Sequence, residues 1–228
     1  HFNFALQDEI QFTTFQNIVG LYGQFEFGYN NYLFLTLNGR NDWASNLPKS
    51  GRSLFYKGGS LSFVATDAIE GFKSDALNFL KVRASYGESA GFATGFPAST
   101  NLFLNTQRFV DDAGTFISSN TSDNTLANPN IKPERYTEIE FGIESRWLNN
   151  RVTFDASYFD RVSEDLIVSQ PLPPDAGGTL IQSNLGEVTS WGIEADLGVG
   201  VFRSDKSDGF NWDISSNFTL LRSEVTDI

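Results

Sequence analysis

Apolar and polar side chains take turns along most of this chain, and few folds tolerate that pattern. The clearest stretch runs from Tyr136 to Trp147. Thr137, Ile139, Phe141, Ile143, Ser145 and Trp147 fall on one side, and Tyr136, Glu138, Glu140, Gly142, Glu144 and Arg146 on the other. Successive side chains of a β-strand point to opposite faces, so a period of two predicts a strand with one apolar and one polar face. Similar runs begin at Val19, Leu33, Phe79, Val152, Trp191 and Phe210, with a less regular one from Ser53 to Val64. That makes eight strands, most of them roughly 9 to 14 residues long, against a usual 5–6. The 22 Phe, 7 Tyr and 4 Trp agree, because aromatic residues favour strands.

The connections alternate in length. Short ones fall at Asn30-Asn31, Asp67–Asn78, Asn149-Asn150 and Ser204–Gly209, with a helical turn expected within Ser74–Leu80. Asn tolerates the positive φ that tight hairpins require. Long ones fall at Asn41–Arg52, Glu88–Glu134 and Ser163–Gly186, rich in Asn, Ser, Thr, Asp, Gly and Pro. Strict alternation puts all the long loops at one end of a sheet, as in a transmembrane β-barrel with short periplasmic turns and long outer loops. Aromatic residues near strand ends, Tyr29, Tyr32, Trp147, Phe202, Phe210 and Trp212, fit the girdles of such barrels. A soluble β-sandwich also alternates and is the second reading, as a module that binds carbohydrate through surface aromatics. Its strands are usually shorter and its buried face meets another sheet.

Several function classes fall away on composition. Sixteen basic against 28 acidic residues give a formal net charge of −12, which argues against nucleic acid as a partner. With no Cys and a single His, at position 1, disulfides, thiolate chemistry, a Ser-His-Asp triad and His-rich metal sites are not available within these residues. No apolar run approaches the 18 residues of a membrane-crossing helix, but a spanning β-strand needs only about 9–11. The absence of Met, the start at His1 and the finish at Asp227-Ile228 just after a strand lead us to expect part of a larger barrel.

The motifs point the same way. The segments Leu37-Asn38-Gly39-Arg40-Asn41-Asp42-Trp43, Ser60-Leu61-Ser62-Phe63-Val64, and Leu80 to Gly87 (LKVRASYG) come in that order. They are followed by Asn128-Pro129-Asn130-Ile131-Lys132-Pro133-Glu134, Asn149-Asn150-Arg151, Asn184-Leu185-Gly186 and Trp191-Gly192-Ile193-Glu194. In order and spacing they resemble the barrel of TonB-dependent outer-membrane transporters of the SusC-like subgroup, over nearly the whole chain. The departure is Glu88-Ser89-Ala90-Gly91, where the family usually has Gly-Asn. The resemblance implies a 22-stranded barrel in a chain several times longer. Residues 1–228 would then be a middle-to-late section, without plug, TonB-contacting segment or closing strand. It further implies import of a bulky nutrient, an oligosaccharide or peptide, across an outer membrane. A SusD-like surface lipoprotein would serve as lid and a TonB-type protein would couple energy.

The polar faces supply the candidates for cargo or plug contact: Glu26, Arg40, Lys81, Arg83, Glu138, Glu140, Glu144, Arg146, Asp155, Glu194 and Asp196. Glu138 and Glu140, about 6.5–7 Å apart on one strand face, have the makings of a glycosidase carboxylate pair. A wall of ion pairs facing water is the commoner use of such rows, so no enzyme is expected. Lys81 and Arg83 can meet an anionic ligand or acidic neighbours in the wall. In the long loops Phe92, Phe96, Phe103, Phe109 and Phe116 can stack on cargo, or pack the loop and meet a lid. Asp111, Asp112 and Asp123 lack the twelve-residue calcium-loop pattern, so no cofactor is expected beyond an occasional loop calcium.

Overall fold

The computed structural model describes residues 13–206 and 208–227; His1 lies outside them. Among the described residues thirteen strands form, the first being β1 (Ile18–Tyr29), β2 (Leu33–Ala44), β3 (Ser53–Val64), β4 (Leu77–Gly91), β5 (Leu102–Val110), β6 (Phe116–Ser122) and β7 (Thr125–Leu126). These are followed by β8 (Glu134–Trp147), β9 (Val152–Glu164), β10 (Ile167–Pro171), β11 (Leu180–Asn184), β12 (Glu187–Phe202) and β13 (Trp212–Asp227). Eight of them make one antiparallel sheet in the order β1-β2-β3-β4-β8-β9-β12-β13. These are the eight strands the alternation predicts. Each pairs with the next such strand along the chain, so the sheet is a continuous meander.

The turns behave as Asn-rich hairpins should. Asn30 and Asn31 have φ of 46° and 58°, and Asn149 and Asn150 of 56° and 60°. At this end of the sheet Tyr29 and Tyr32 meet edge to face at 5.6 Å, Tyr32 meets Phe63 at 6.0 Å, and Phe202 lies 5.9 Å from Phe210. The expected helical turn within Ser74–Leu80 is not there. A short helix, α1 (Ala65–Ala68), sits directly after β3 instead, and Leu77–Leu80 already belong to β4. Buried Thr66 accepts the Leu80 N–H through Oγ1 at 3.3 Å, which ties the turn to the first residues of that strand.

The long connections are shorter than the sequence suggests, because strands run further into them. β2 continues to Ala44 and β4 to Gly91, while β9 reaches Glu164. What remains is itself folded. β5 and β6 form a separate hairpin, and β10, β11 and β7 form a small sheet in which β11 and β7 run parallel.

Burial separates the two parts of the molecule. The buried cluster Ala44, Leu47, Ala93 and Ile131, with Phe92, Ala98 and Ile167 against it, lies where the long loops meet the wall. The wall itself is a single layer. On its apolar face Phe25 is 60% exposed, Phe141 58% and Phe218 57%, and among the described residues no second sheet covers them. This removes the sandwich reading, which needs two packed layers. Monomeric soluble proteins rarely leave an apolar surface of this extent uncovered.

Candidate functional site: the ion-paired face

The opposite face of the wall carries the charges, and the register decides which of them meet. Lys81, Glu144, Asp155, Asp196 and Asn217 occupy one row across five strands, each the direct partner of the next. Like charges placed directly opposite destabilise a sheet, and here three carboxylates stand side by side. Donors converge on them. Lys81 Nζ lies 3.6 Å from Glu144 Oε2, and Arg146 Nη2 donates to Glu144 Oε1 at 3.0 Å. Asn217 Nδ2 donates to Asp196 Oδ1. Arg83, on β4, reaches past β8 to Asp155 on β9, donating from Nη1 (3.1 Å) and Nη2 (2.9 Å), while its Nε donates to Glu140 Oε1 at 3.3 Å.

Other candidates are paired elsewhere on this face. Glu138 Oε2 accepts from Arg161 Nε at 2.7 Å and Nη2 at 2.5 Å. Arg40 Nε donates to Asp42 Oδ1 at 2.8 Å, and Tyr56 OH donates to the other oxygen of that carboxylate, which is almost wholly buried. Glu26 accepts from Gln24 Nε2 at 2.5 Å. Glu194 is exposed, opposite Ser157 and Thr219, with no ion pair among the described residues. The face thus holds charges that are mostly paired with one another, Glu194 excepted, with a cleft between them. The cleft is lined by Gly87, Ser89, Tyr136, Glu138, Arg161 and Ser163 among others. Glu138 and Glu140, the possible carboxylate pair of an enzyme, each lie against a different arginine.

The loop candidates divide. Phe92 packs on the buried cluster, and Phe96 lines a cavity between loops. Phe103 is half-buried on β5. Phe109 and Phe116 lie on the β5–β6 hairpin, with backbone partners Ile117 and Val110; their side chains are outside what is described. Asp111 Oδ1 accepts from the N–H groups of Ala113 (3.0 Å) and Thr115 (2.7 Å), and Asp123 Oδ1 from that of Thr125 (3.3 Å). These are turns closed by aspartate side chains.

Sequence reasoning missed Arg161, Asp42 and Tyr56. Arg161 continues the polar face two residues beyond Phe159, but Asp42 falls within the stretch read as a loop, Asn41–Arg52, and Tyr56 within the less regular run from Ser53 to Val64. It also missed the outer-loop knot. Asn184 Nδ2 donates to the carbonyls of Lys132 and Asp165, both at 2.8 Å, and its Oδ1 accepts the Lys132 N–H at 2.9 Å. Lys132 Nζ lies 2.8 Å from Asp165, and Glu134 accepts the Ile167 N–H at 2.7 Å.

A meander of long strands with one greasy face, one face of locked ion pairs and folded loops at one end defines a section of a large β-barrel wall. The chain belongs to the TonB dependent receptor-like β-barrel family, whose model matches residues 4–227. It is 25% identical over 213 residues to TonB-dependent receptor P3 of Formosa agariphila, covering 91% of this chain and 20% of that protein. It is 23% identical over 225 residues to TonB-dependent receptor SusC of Bacteroides thetaiotaomicron, covering 97% and 22%. Among solved structures the RagAB peptide transporter superposes with a TM-score of 0.79 at 21% identity, over 93% of this chain and 22% of that one. The siderophore receptor PirA from Pseudomonas aeruginosa does so with a TM-score of 0.61 at 18% identity, over 93% and 35%. The chain therefore spans about a fifth of the length of the curated relatives it matches.

Proposed function

We propose that these residues form part of the pore wall and outer-loop platform of an outer-membrane importer for a bulky nutrient, an oligosaccharide or a peptide. Transport would draw energy through a TonB-type protein, with a SusD-like lipoprotein closing over the loops, and no covalent chemistry is involved. One observation carries the reading. The apolar face is exposed along the wall while most charges of the other face pair among themselves, as suits lipid on one side and a wet lumen on the other. The names of SusC and of the RagAB peptide transporter support nutrient import. In this reading Glu194, Asp196 and Glu26 are the wall positions freest to meet cargo or plug.

The test places a charge on each face of the full-length protein. Ile139→Lys and Ile193→Lys, on the apolar face, should reduce assembly in the outer-membrane fraction, with a cost of roughly 2–4 kcal/mol near mid-bilayer. Ser157→Lys, on the charged face, should assemble normally. Equal assembly of all three variants, or a protein that stays folded in water without detergent, would end the membrane reading.

A further inference from the structure

The apolar face of the wall carries a groove of its own. It measures about 310 Å³ and is walled by Leu35, Leu61, Tyr86 and Phe141, among others, over a floor of Gly59 and Ala84. The register makes it. Leu35, Leu61, Ala84 and Phe141 lie in one row, each the direct partner of the next, and Gly59 pairs with Tyr86 one row above. A methyl group and a hydrogen therefore stand where the surrounding positions carry leucine and aromatic side chains.

Charge on this face has a sharp lower limit. From the turns up to the row of Leu35 and Phe141, no described side chain on it is charged. Asp160 and Arg222 come one row higher, level with Gly59, and Lys57 stands one row above that. Lys57 is thus level with Thr137 of β8. Thr137 to Trp147 is eleven residues, against the roughly 9–11 with which a tilted strand crosses the hydrocarbon core. The Lys57 ammonium therefore stands where hydrocarbon gives way to headgroups, directly above the groove.

That ammonium has no ion pair among the described residues, whereas Arg40, Lys81, Arg83, Arg146 and Arg161 on the opposite face all have one. The neighbouring carboxylate is already engaged. The Glu88 side chain is 8% exposed, accepts from Tyr86 OH and lies 3.7 Å from Arg135 Nη1. Arg222 is exposed and also lacks an ion pair among the described residues. It stands on β13, four strands from β4, or about 19 Å away, and has no part in the groove. In a bilayer such a groove is filled by an acyl chain. Lipid tails are as apolar as leucine, so what the groove gains is packing. A single cation at the head of that chain favours an anionic headgroup over an uncharged one.

We propose that Lys57 and this groove form a site for one membrane lipid with a phosphate headgroup. The phosphate meets the Lys57 ammonium, and one acyl chain runs over Gly59 and Ala84 between Leu61 and Phe141. This rests on the membrane reading and adds a partner on the outside of the wall. The test incubates the full-length protein in detergent with phosphatidylglycerol, or with diacylglycerol of the same chains, and reads the lipid retained by native mass spectrometry. One phosphatidylglycerol should stay with each barrel, in preference to the uncharged lipid. Lys57→Gln should lower its retention about fivefold, the worth of one cation beside anionic lipid, and leave diacylglycerol unchanged. Ala84→Leu, which fills the groove, should lower both. Arg222→Gln, the same change of charge on the same face but away from the groove, should lower neither. Heat-dependent gel mobility reports folding, and Leu61→Ala, which removes a wall of the groove, stands in for Ala84→Leu if that variant does not fold. Equal retention of the two lipids, retention indifferent to Lys57→Gln, or an equal loss in Arg222→Gln overturns the site and leaves the membrane reading standing. So does a dimer in detergent that Ala84→Leu splits, which makes a second copy of the chain the occupant. A protein that stays folded in water without detergent strikes the membrane reading, and the site falls with it.

Discussion

Arg83 and Asp155 join strands that are not neighbours. The guanidinium leaves β4, passes over β8 and grips both carboxylate oxygens on β9. It can do so because the residue beneath it is Gly142, whose missing side chain is the space the Arg83 stem and guanidinium occupy. A Cβ there would collide with them. Both partners are part-exposed, 28% and 38%, so water screens the pair and its worth stays modest. Gly142→Val should therefore destabilise the barrel by about 1–2 kcal/mol, mostly by breaking this bidentate contact. Unfolding by denaturant in detergent checks it, and a double-mutant cycle supplies the control. Arg83→Ala should cost measurably less on the Gly142→Val background than alone, since the contact is already gone.

Asn184 and the Asn128–Glu134 segment should fail locally and not globally. Asn184 closes three hydrogen bonds around Lys132 and Asp165, and it is half-buried. Its removal leaves backbone groups short of partners, at about 1–3 kcal/mol. Asn184→Ala should speed amide hydrogen exchange at Lys132 severalfold while the wall strands exchange as before. The neighbouring Lys132–Asp165 pair is exposed and should count for little, so Lys132→Gln should leave that exchange almost unchanged. Faster exchange throughout the wall in Asn184→Ala would mean that the loops and the sheet open together.

Ile131 offers a packing test of the same platform. It is fully buried, between Ala44, Leu47 and Ala93, in a region where few other side chains are. Ile131→Ala should cost about 2–5 kcal/mol locally and expose the loops to protease, with cleavage between residues 92 and 133 detected by mass spectrometry. Ile131→Val should lose roughly 0.5–1.5 kcal/mol and resist cleavage.

The wall was legible because its rule is local. Alternation fixes which face a side chain takes, and Asn pairs fix where the chain reverses, so Glu138, Arg83 and Asp155 were assignable to one face without knowing the register. The register then chose the partners, and no local signal carried it. That Arg83 skips a strand depends on Gly142, which reads in the sequence as an ordinary polar-face position. The loops were legible only as motifs. Asn184-Leu185-Gly186 and Asn128 to Glu134 stood out as resemblances, but that Asn184 binds Lys132 is long-range information. The turn after β3 was misplaced because the Ala65-Thr66-Asp67-Ala68 helix is a single turn held by its surroundings, too short to show a 3.6-residue period.

Leu148 closes the set of predictions. It begins the β8–β9 turn with φ of 53°, followed by Asn149 and Asn150 in the same left-handed region. Asn accepts that conformation, whereas a leucine there costs about 1–2 kcal/mol. Its side chain is 55% exposed, so packing returns little of this within the described residues. Its N–H, which donates to Ala76 O at 2.9 Å, survives any substitution but proline. Leu148→Asn should therefore stabilise the folded barrel by about 0.5–1 kcal/mol against denaturant. Leu148→Val, β-branched and less suited still to positive φ, should destabilise it by a similar amount. If both variants weaken the protein in detergent and more strongly in a bilayer, Leu148 is held in its strained conformation by a contact with lipid at the turn end of the wall.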